Sequence, residues 1–161
     1  MSLNKYQPHL LILPEDDANR QIANGFVLSL NVNYRRIQIL AVADGWGKVV
    51  NIFLEDYVDE MRQFTNRNMV LLIDFDQRQD RLSYVKDKIP NDLIDRVFIL
   101  GTNSNPENLK KATQKTYEQI GETLAKDCPD KKNPLWEHEL LKCNQSELDR
   151  IIPVVKEFLF N

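Results

Sequence analysis

Two acids, Asp74 and Asp76, close the apolar run Met69-Val70-Leu71-Leu72-Ile73, with Phe75 between them. If that run is a strand, alternate side chains share a face, so the two carboxylates point the same way, roughly 7 Å apart. Such a pair repels itself, and a divalent cation between the acids removes the repulsion. A further acid, Glu15, follows the apolar run Leu10-Leu11-Ile12-Leu13. Three acids at two strand ends point to a Mg²⁺ site and hence to phosphate chemistry. The competing reading is a set of solvated turn acids. Oxygen ligands with no His or Cys nearby favour Mg²⁺ or Mn²⁺ over zinc. Such an ion polarises a phosphoryl oxygen or binds an attacking or leaving one, and Glu15, where it is not itself a ligand, is placed to serve as a general acid or base.

The elements that must carry these residues can be read from hydrophobic spacing. The run His9 to Leu13 precedes Pro14 and a helix with Ile22, Ala23, Phe26, Val27 and Leu30 on one face, closed by the polar segment Asn31 to Asn33. Acids at its start complement the helix dipole. A second run, Ile37 to Ala43, ends in Asp44-Gly45-Trp46-Gly47-Lys48, where the glycines permit a tight turn or close approach of a ligand. The clearest amphipathic helix follows, with Val49, Val50, Phe53, Leu54, Tyr57, Val58, Met61 and Phe64 on one side. After Met69–Ile73 a weaker helix spans about Gln79 to Lys88, before Pro90. The fourth run, Val97 to Leu100, ends at Gly101, and Asn105-Pro106-Glu107 reads as a cap, first-turn proline and dipole-matched acid of another helix. Helix resumes from Tyr117 to Ala125. In the C-terminal segment, Ser146 and Asp149 suggest a capping arrangement, and Pro153 predicts a kink or two short helices.

Strand and helix thus alternate four times, and continuous apolar runs mark strands buried on both faces. This predicts an α/β fold with a mainly parallel central sheet of about four strands, helices on both faces and extra C-terminal helices. The chain reads as a single domain over residues 1–161, with a core of about 9–126 and a helical extension of about 134–161. In open parallel sheets, ligands bind beyond the carboxyl ends of the strands. Glu15, the Asp44 to Lys48 turn, Asp74 with Asp76, and Thr102 to Asn105 all fall there.

Bulk properties narrow the classes. The net charge of −3 argues against a protein that coats nucleic acid by bulk charge, though not against an enzyme whose metal supplies local positive charge. Arg35-Arg36, Lys110-Lys111 and Lys131-Lys132 are scattered basic pairs and read as solvated surface. No apolar run approaches the ~20 residues that span a bilayer. Residues Met1 to Pro8 lack the basic-then-apolar order of a signal peptide, which predicts a cytoplasmic protein without a membrane partner. Cys128 and Cys143 have no CxxC spacing and read as reduced thiols.

An acid after the first strand, a glycine turn after the second and Asp-x-Asp after the third resemble the Toprim domain of topoisomerases, bacterial primases, recombination mediators and OLD-family nucleases. The similarity covers roughly Leu10 to Gly101. Ala43-Asp44-Gly45-Trp46-Gly47-Lys48-Val49-Val50-Asn51 is similar to the glycine-rich turn of the nuclease branch, and Val70 to Asp76 to its Asp-x-Asp strand. The resemblance implies Glu15 as the acid/base glutamate, also able to complete the metal shell. It implies Asp74 and Asp76 as ligands of Mg²⁺ or Mn²⁺, and Gly45, Gly47 and Lys48 as the phosphate contact. The implied activity is a Mg²⁺-dependent nuclease in DNA processing or defence, with nucleic acid as its partner. DNA or RNA, a delivering protein partner and the oligomeric state stay open. The sequence departs from the family in placing Asp16, not a small residue, after the glutamate, and Asp17 after that.

Two other classes compete. A non-catalytic binding or regulatory module would keep the fold with its acids solvated. A receiver-like domain would use Asp74 as phosphoacceptor and Thr102 as switch hydroxyl, but also needs a lysine after a fifth strand. Among the remaining polar and aromatic residues, His9 and His138 read as structural and Trp136 as packing, with base stacking as its alternative. Trp46 either lines the pocket or covers the sheet edge. The region from Cys128 to Phe160 carries no catalytic motif and reads as cover for a sheet edge or a partner surface.

Overall fold

The computed structural model describes residues 3–126, 128–130 and 134–161. Lys131 and Lys132, read above as a solvated basic pair, lie outside them, as do Met1, Ser2, Asp127 and Asn133. Four parallel strands, β1 (His9–Pro14), β2 (Ile37–Ile39), β3 (Arg67–Leu72) and β4 (Val97–Leu100), form a sheet in the order β2-β1-β3-β4. Side-chain alternation divides the apolar residues between two cores. Leu10, Ile12, Val70 and Phe98 face α1 (Asp17–Leu28), α5 (Pro106–Thr113), α6 (Tyr117–Lys126) and α7 (Gln145–Leu159). Leu11, Leu13, Met69, Leu71, Val97 and Ile99 face α2 (Trp46–Ile52), α3 (Val58–Gln63) and α4 (Gln79–Lys88). The fold is therefore the α/β arrangement that the apolar runs predict. The chain passes from β1 outward to β2 and then back across to β3, so the topological switch lies between β1 and β3.

Several local expectations need correction. The second strand stops at Ile39 instead of running to Ala43. The backbone still follows β1, with Leu40 N–H donating to Ile12 O and Ala43 N–H to Pro14 O. The first helix ends at Leu28, and Leu30 is solvent-exposed. The long amphipathic helix contains a π-turn, Phe53–Tyr57, between α2 and α3. At the C-terminus, Pro153 sits inside an unbroken α7. Proline costs about 3 kcal/mol inside a helix, and the burial of Leu148, Ile151, Ile152, Val155 and Leu159 along one face offsets it. Ser146 lies within α7 rather than capping it. The N-cap is Asn144, whose side chain makes no capping bond.

That side chain bonds to the sheet instead. β4 is an edge strand, and an exposed edge leaves alternate N–H and C=O groups unpaired. Here Ile99 N–H donates to Glu147 Oε1 (2.9 Å), Gly101 N–H donates to Asn144 Oδ1 (2.9 Å), and Arg150 Nη2 donates to Val97 O (2.7 Å). Three side chains at the start of α7 thus occupy the positions a fifth strand would fill. The C-terminal helix covers this edge and one sheet face together.

Close backbone approach fixes α1 against α6. A Cβ on Gly25 would lie 2.0 Å from Glu118 O, and one on Gly121 would lie 1.8 Å from Ile22 O. Gly121→Ala is therefore expected to push the helices apart and destabilise the protein by about 1–3 kcal/mol, measurable as a lower urea midpoint at unchanged slope.

Candidate functional site

The switch point gathers the acids. β1 and β3 are neighbours, so the residues after them emerge side by side: Glu15 after Pro14, and Asp74 two residues beyond Leu72. The backbone N–H of Asp74 donates to Glu15 Oε1 (3.0 Å), which locks the two loops together. Asp16 caps α1, its Oδ1 accepting from Asn19 N–H (3.0 Å). One ligand atom from each of Glu15, Asp16 and Asp74 lies within 4.8 Å of the others, the only such trio among the described residues. From β2 the loop wraps the same point, as Asp44 N–H donates to Glu15 O (2.8 Å).

Asp74 is held from behind. Asn19 Nδ2 donates to its Oδ1 at 3.0 Å and Thr102 Oγ1 approaches the same oxygen at 3.5 Å; both residues are buried. Beyond them lies an apolar cavity of about 100 Å³ between the sheet and the α1 and α7 side of the core. Burial in this surrounding pushes Asp74 up to about 7, against the opposing bond from Asn19, and the nearby charges of Glu15 and Asp16 add to the rise. Burial also raises Glu15, partly countered by the N–H of Asp74. Removing the Asn19 amide is expected to raise the Asp74 titration further. In Asn19→Ala, the side-chain carboxyl ¹³C shift of Asp74 should titrate at a higher pH than in the wild type.

Asp76 is placed differently from the expectation. β3 ends at Leu72, and Asp76 and Gln77 both take left-handed backbone angles (φ 51° and 57°). The strand alternation that would align Asp74 with Asp76 does not reach that far. The Asp76 side chain is 71% exposed and faces Arg81 at 4.0 Å, outside the acidic trio. Asp44 (φ 66°) and Gly45 (φ 135°) form the corresponding left-handed turn on the β2 side. Gly45 precedes α2, Gly47 and Lys48 lie in its first turn, and Lys48 is exposed. A Cβ at either glycine would meet nothing within 4 Å, so space remains open there.

Spacing does not single out Arg81, yet it is the cation of the site. Its Nη1 donates to Asp74 O (2.6 Å), and its guanidinium lies 4.6 Å from the Trp46 ring centre, with Tyr84 edge-on to the same ring. Trp46 thereby supports the pocket wall. Asn19 carries one sequence signal, its i+3 spacing from the capping Asp16. Nothing local marks Arg81.

The residues fit a hard divalent cation. The hydrogen bonds among described residues engage one oxygen of each carboxylate, Glu15 Oε1, Asp16 Oδ1 and Asp74 Oδ1, and leave the second oxygen of each for a ligand bond. Elsewhere, His9 is buried and shares its Nε2 with Arg67, Trp136 donates to Leu124 O from within the core, and His138 Nδ1 accepts from Leu140 N–H. All three are structural. Both thiols are free, and burial pushes Cys128 up to about 12 and Cys143 to about 11. Among the described residues no helix is long and apolar enough to cross a membrane. Compared with protein-family models, curated proteins and solved structures, the chain matches none.

Proposed function

We propose that the chain is a Toprim-like, Mg²⁺- or Mn²⁺-dependent protein that acts on phosphodiester bonds of nucleic acid, as a nuclease. The observation that carries this reading is the trio of Glu15, Asp16 and Asp74 at the switch point of a parallel sheet, where ligands of such folds bind. The trio would hold the cation, and Asp76 at the mouth joins only if its turn moves inward. A bound cation supplies charge stabilisation to a phosphoryl oxygen. Glu15, whose pKa burial raises, can take or return a proton through the oxygen not engaged by Asp74 N–H where that oxygen does not ligate the cation. Arg81 fixes the Asp74 loop, and Lys48 is the exposed cation on the β2 side for a phosphate.

The receiver-like alternative draws on the Thr102 hydroxyl 3.5 Å from Asp74. Among the described residues it lacks the fifth strand that would bring its lysine, and α7 side chains already bond that edge.

Cleavage of labelled single- and double-stranded oligonucleotides with Mg²⁺ or Mn²⁺ tests the proposal. Glu15→Gln and Asp74→Asn should each lower the rate by about 100-fold or more, the scale of losing one stabilising group in an active site, and Asp76→Asn by less. Cleavage that survives Glu15→Gln and Asp74→Asn alike would come from elsewhere, and absence of any metal-dependent cleavage would leave the binding-module reading.

A further inference from the structure

The turn between α5 and α6 carries the second cluster of charge. Lys110 and Lys111 end α5, Lys115 follows its left-handed cap Gln114, and Thr116 and Tyr117 open α6. With the acid Glu107 and Gln119 these residues line an open groove of about 600 Å³. Several other described cations are neutralised in place: Arg20, Arg62, Arg67, Arg78, Lys86, Lys126, Lys142 and Arg150 each pair with an acid. None of Lys110, Lys111 and Lys115 does so among the described residues, and Lys110 instead rests 4.8 Å from the centre of the Tyr117 ring. Three lysines against the single acid Glu107 give this groove a positive balance in a chain of net charge −3.

The groove is joined to the acidic site. α5 starts just past the carboxyl end of β4, and the residues between them are tied to the Asp74 loop: Phe75 N–H donates to Thr102 O and Asp76 N–H to Ser104 O. The charges of Asp16 and Asp74 also reach the Tyr117 hydroxyl, which burial raises first and Glu107 next.

We infer that the Lys110–Lys111–Lys115 groove binds the phosphate backbone of a single nucleic-acid strand and leads it to the Glu15–Asp16–Asp74 site. The inference rests on the phosphodiester reading and names the surface that reading requires. An acidic trio repels a polyanion, so a strand must be held by positive charge placed beside the trio rather than within it. A ribbon of lysines with an adjacent aromatic ring is the usual means of holding a single strand without sequence preference. The buried apolar residues of α5 and α6, Leu109, Ile120, Leu124 and Ala125, lie in the core and not in the groove.

The test separates binding from cleavage. Fluorescence anisotropy of a labelled 20-mer, single-stranded or duplex, is followed in EDTA across a salt series with the wild type and with Lys110→Gln/Lys111→Gln/Lys115→Gln. All three side chains lie at the surface or partly so, and circular dichroism verifies the fold. The wild type should prefer the single strand. The triple variant should lose at least about 10-fold in affinity at low salt. Its log–log salt slope should fall by about 2, since each phosphate that a lysine neutralises on a single strand contributes about 0.7. Asp74→Asn should bind the strand at least as tightly as the wild type. Equal binding and equal slope in the triple variant would overturn the groove even if the wild type cleaves DNA. Binding that falls in the triple variant while no preparation cleaves with Mg²⁺ or Mn²⁺ would support the groove and remove the phosphodiester reading instead. A wild type that binds neither oligonucleotide at low salt would overturn the inference.

Discussion

Asp74→Asn is expected to remove divalent-cation binding and, without metal, to make the protein more stable at pH 8. The substitution keeps the shape of the side chain, so Asn19 can still donate to its oxygen, while the new amide faces Glu15 and Asp16 as a donor instead of a third charge. The sign of the pH effect follows from the direction of the shift. In the folded chain Asp74 is raised from 3.8 to about 7, chiefly by burial, so the folded state keeps a proton that the unfolded chain releases. Stability contributed by that proton is complete below pH ~4, declines as pH rises through the window between ~4 and ~7, and is gone above it. The Asn variant lacks this decline. Allowing for solvent screening of a partly exposed group, its advantage at pH 8 is about 1–2 kcal/mol, or a rise of roughly 2–8 °C in Tm, and it vanishes near pH 4. Metal closes this difference, and reverses the order at a hundred times Kd, where the wild type gains about 2.7 kcal/mol. At a Mn²⁺ concentration ten times its Kd, the wild type gains about 1.4 kcal/mol and the variant nothing. Thermal scans at pH 4, 6 and 8, with and without Mn²⁺, read all of these at once.

Glu147→Ala is expected to be the most destabilising single substitution in the chain. Glu147 is fully buried and receives Ile99 N–H, Arg150 Nε at 2.9 Å and Lys86 Nζ at 3.2 Å. Its loss leaves a buried strand N–H and an arginine without their acceptor, and breaking such a buried pair costs about 3–5 kcal/mol. The damage falls on the contact between α7 and β4, so hydrogen exchange at Ile99 and along α7 should accelerate more than in the β1–β3 centre. Glu147→Gln, which keeps an acceptor for Ile99 N–H, should cost less. Equal losses for the two variants would mean that the charge pair, rather than the strand N–H, dominates.

The fold can be read from the chain because its strands are buried on both faces. Leu10 to Leu13, Met69 to Leu72 and Val97 to Leu100 are continuous apolar runs, as strands of a parallel sheet between helix layers require. The C-terminal role cannot be read in this way. Asn144, Glu147 and Arg150 act by bonding backbone groups more than forty residues away, and no local pattern announces a helix that finishes a sheet edge with side chains. At the site, Glu15 and Asp74 are visible as acids at strand ends, since topology makes neighbouring strand ends meet. Asp16 looks like a departure from a family pattern and proves to stand with them, because an N-cap must sit where the strand turns into its helix. Strand alternation places Asp76 beside Asp74, and the left-handed turn at Asp76 and Gln77 ends that alternation. Arg81 reaches the site from another helix, a contact only tertiary structure reveals.

The central claim is that Glu15, Asp16 and Asp74 together grip a divalent cation, and electron paramagnetic resonance of free aqueous Mn²⁺ tests it most directly. Titrated at pH 8, the wild type should remove about one Mn²⁺ per chain from the free signal, with a Kd at or below the millimolar range expected of carboxylate sites. Affinity should weaken as the pH falls through 7, where Asp74 takes up its proton, and Asp74→Asn should leave the signal undiminished. A free signal that rises in proportion to added Mn²⁺ up to about 10 mM with the wild type, well past that range, or saturable binding that persists in Asp74→Asn, would contradict the account.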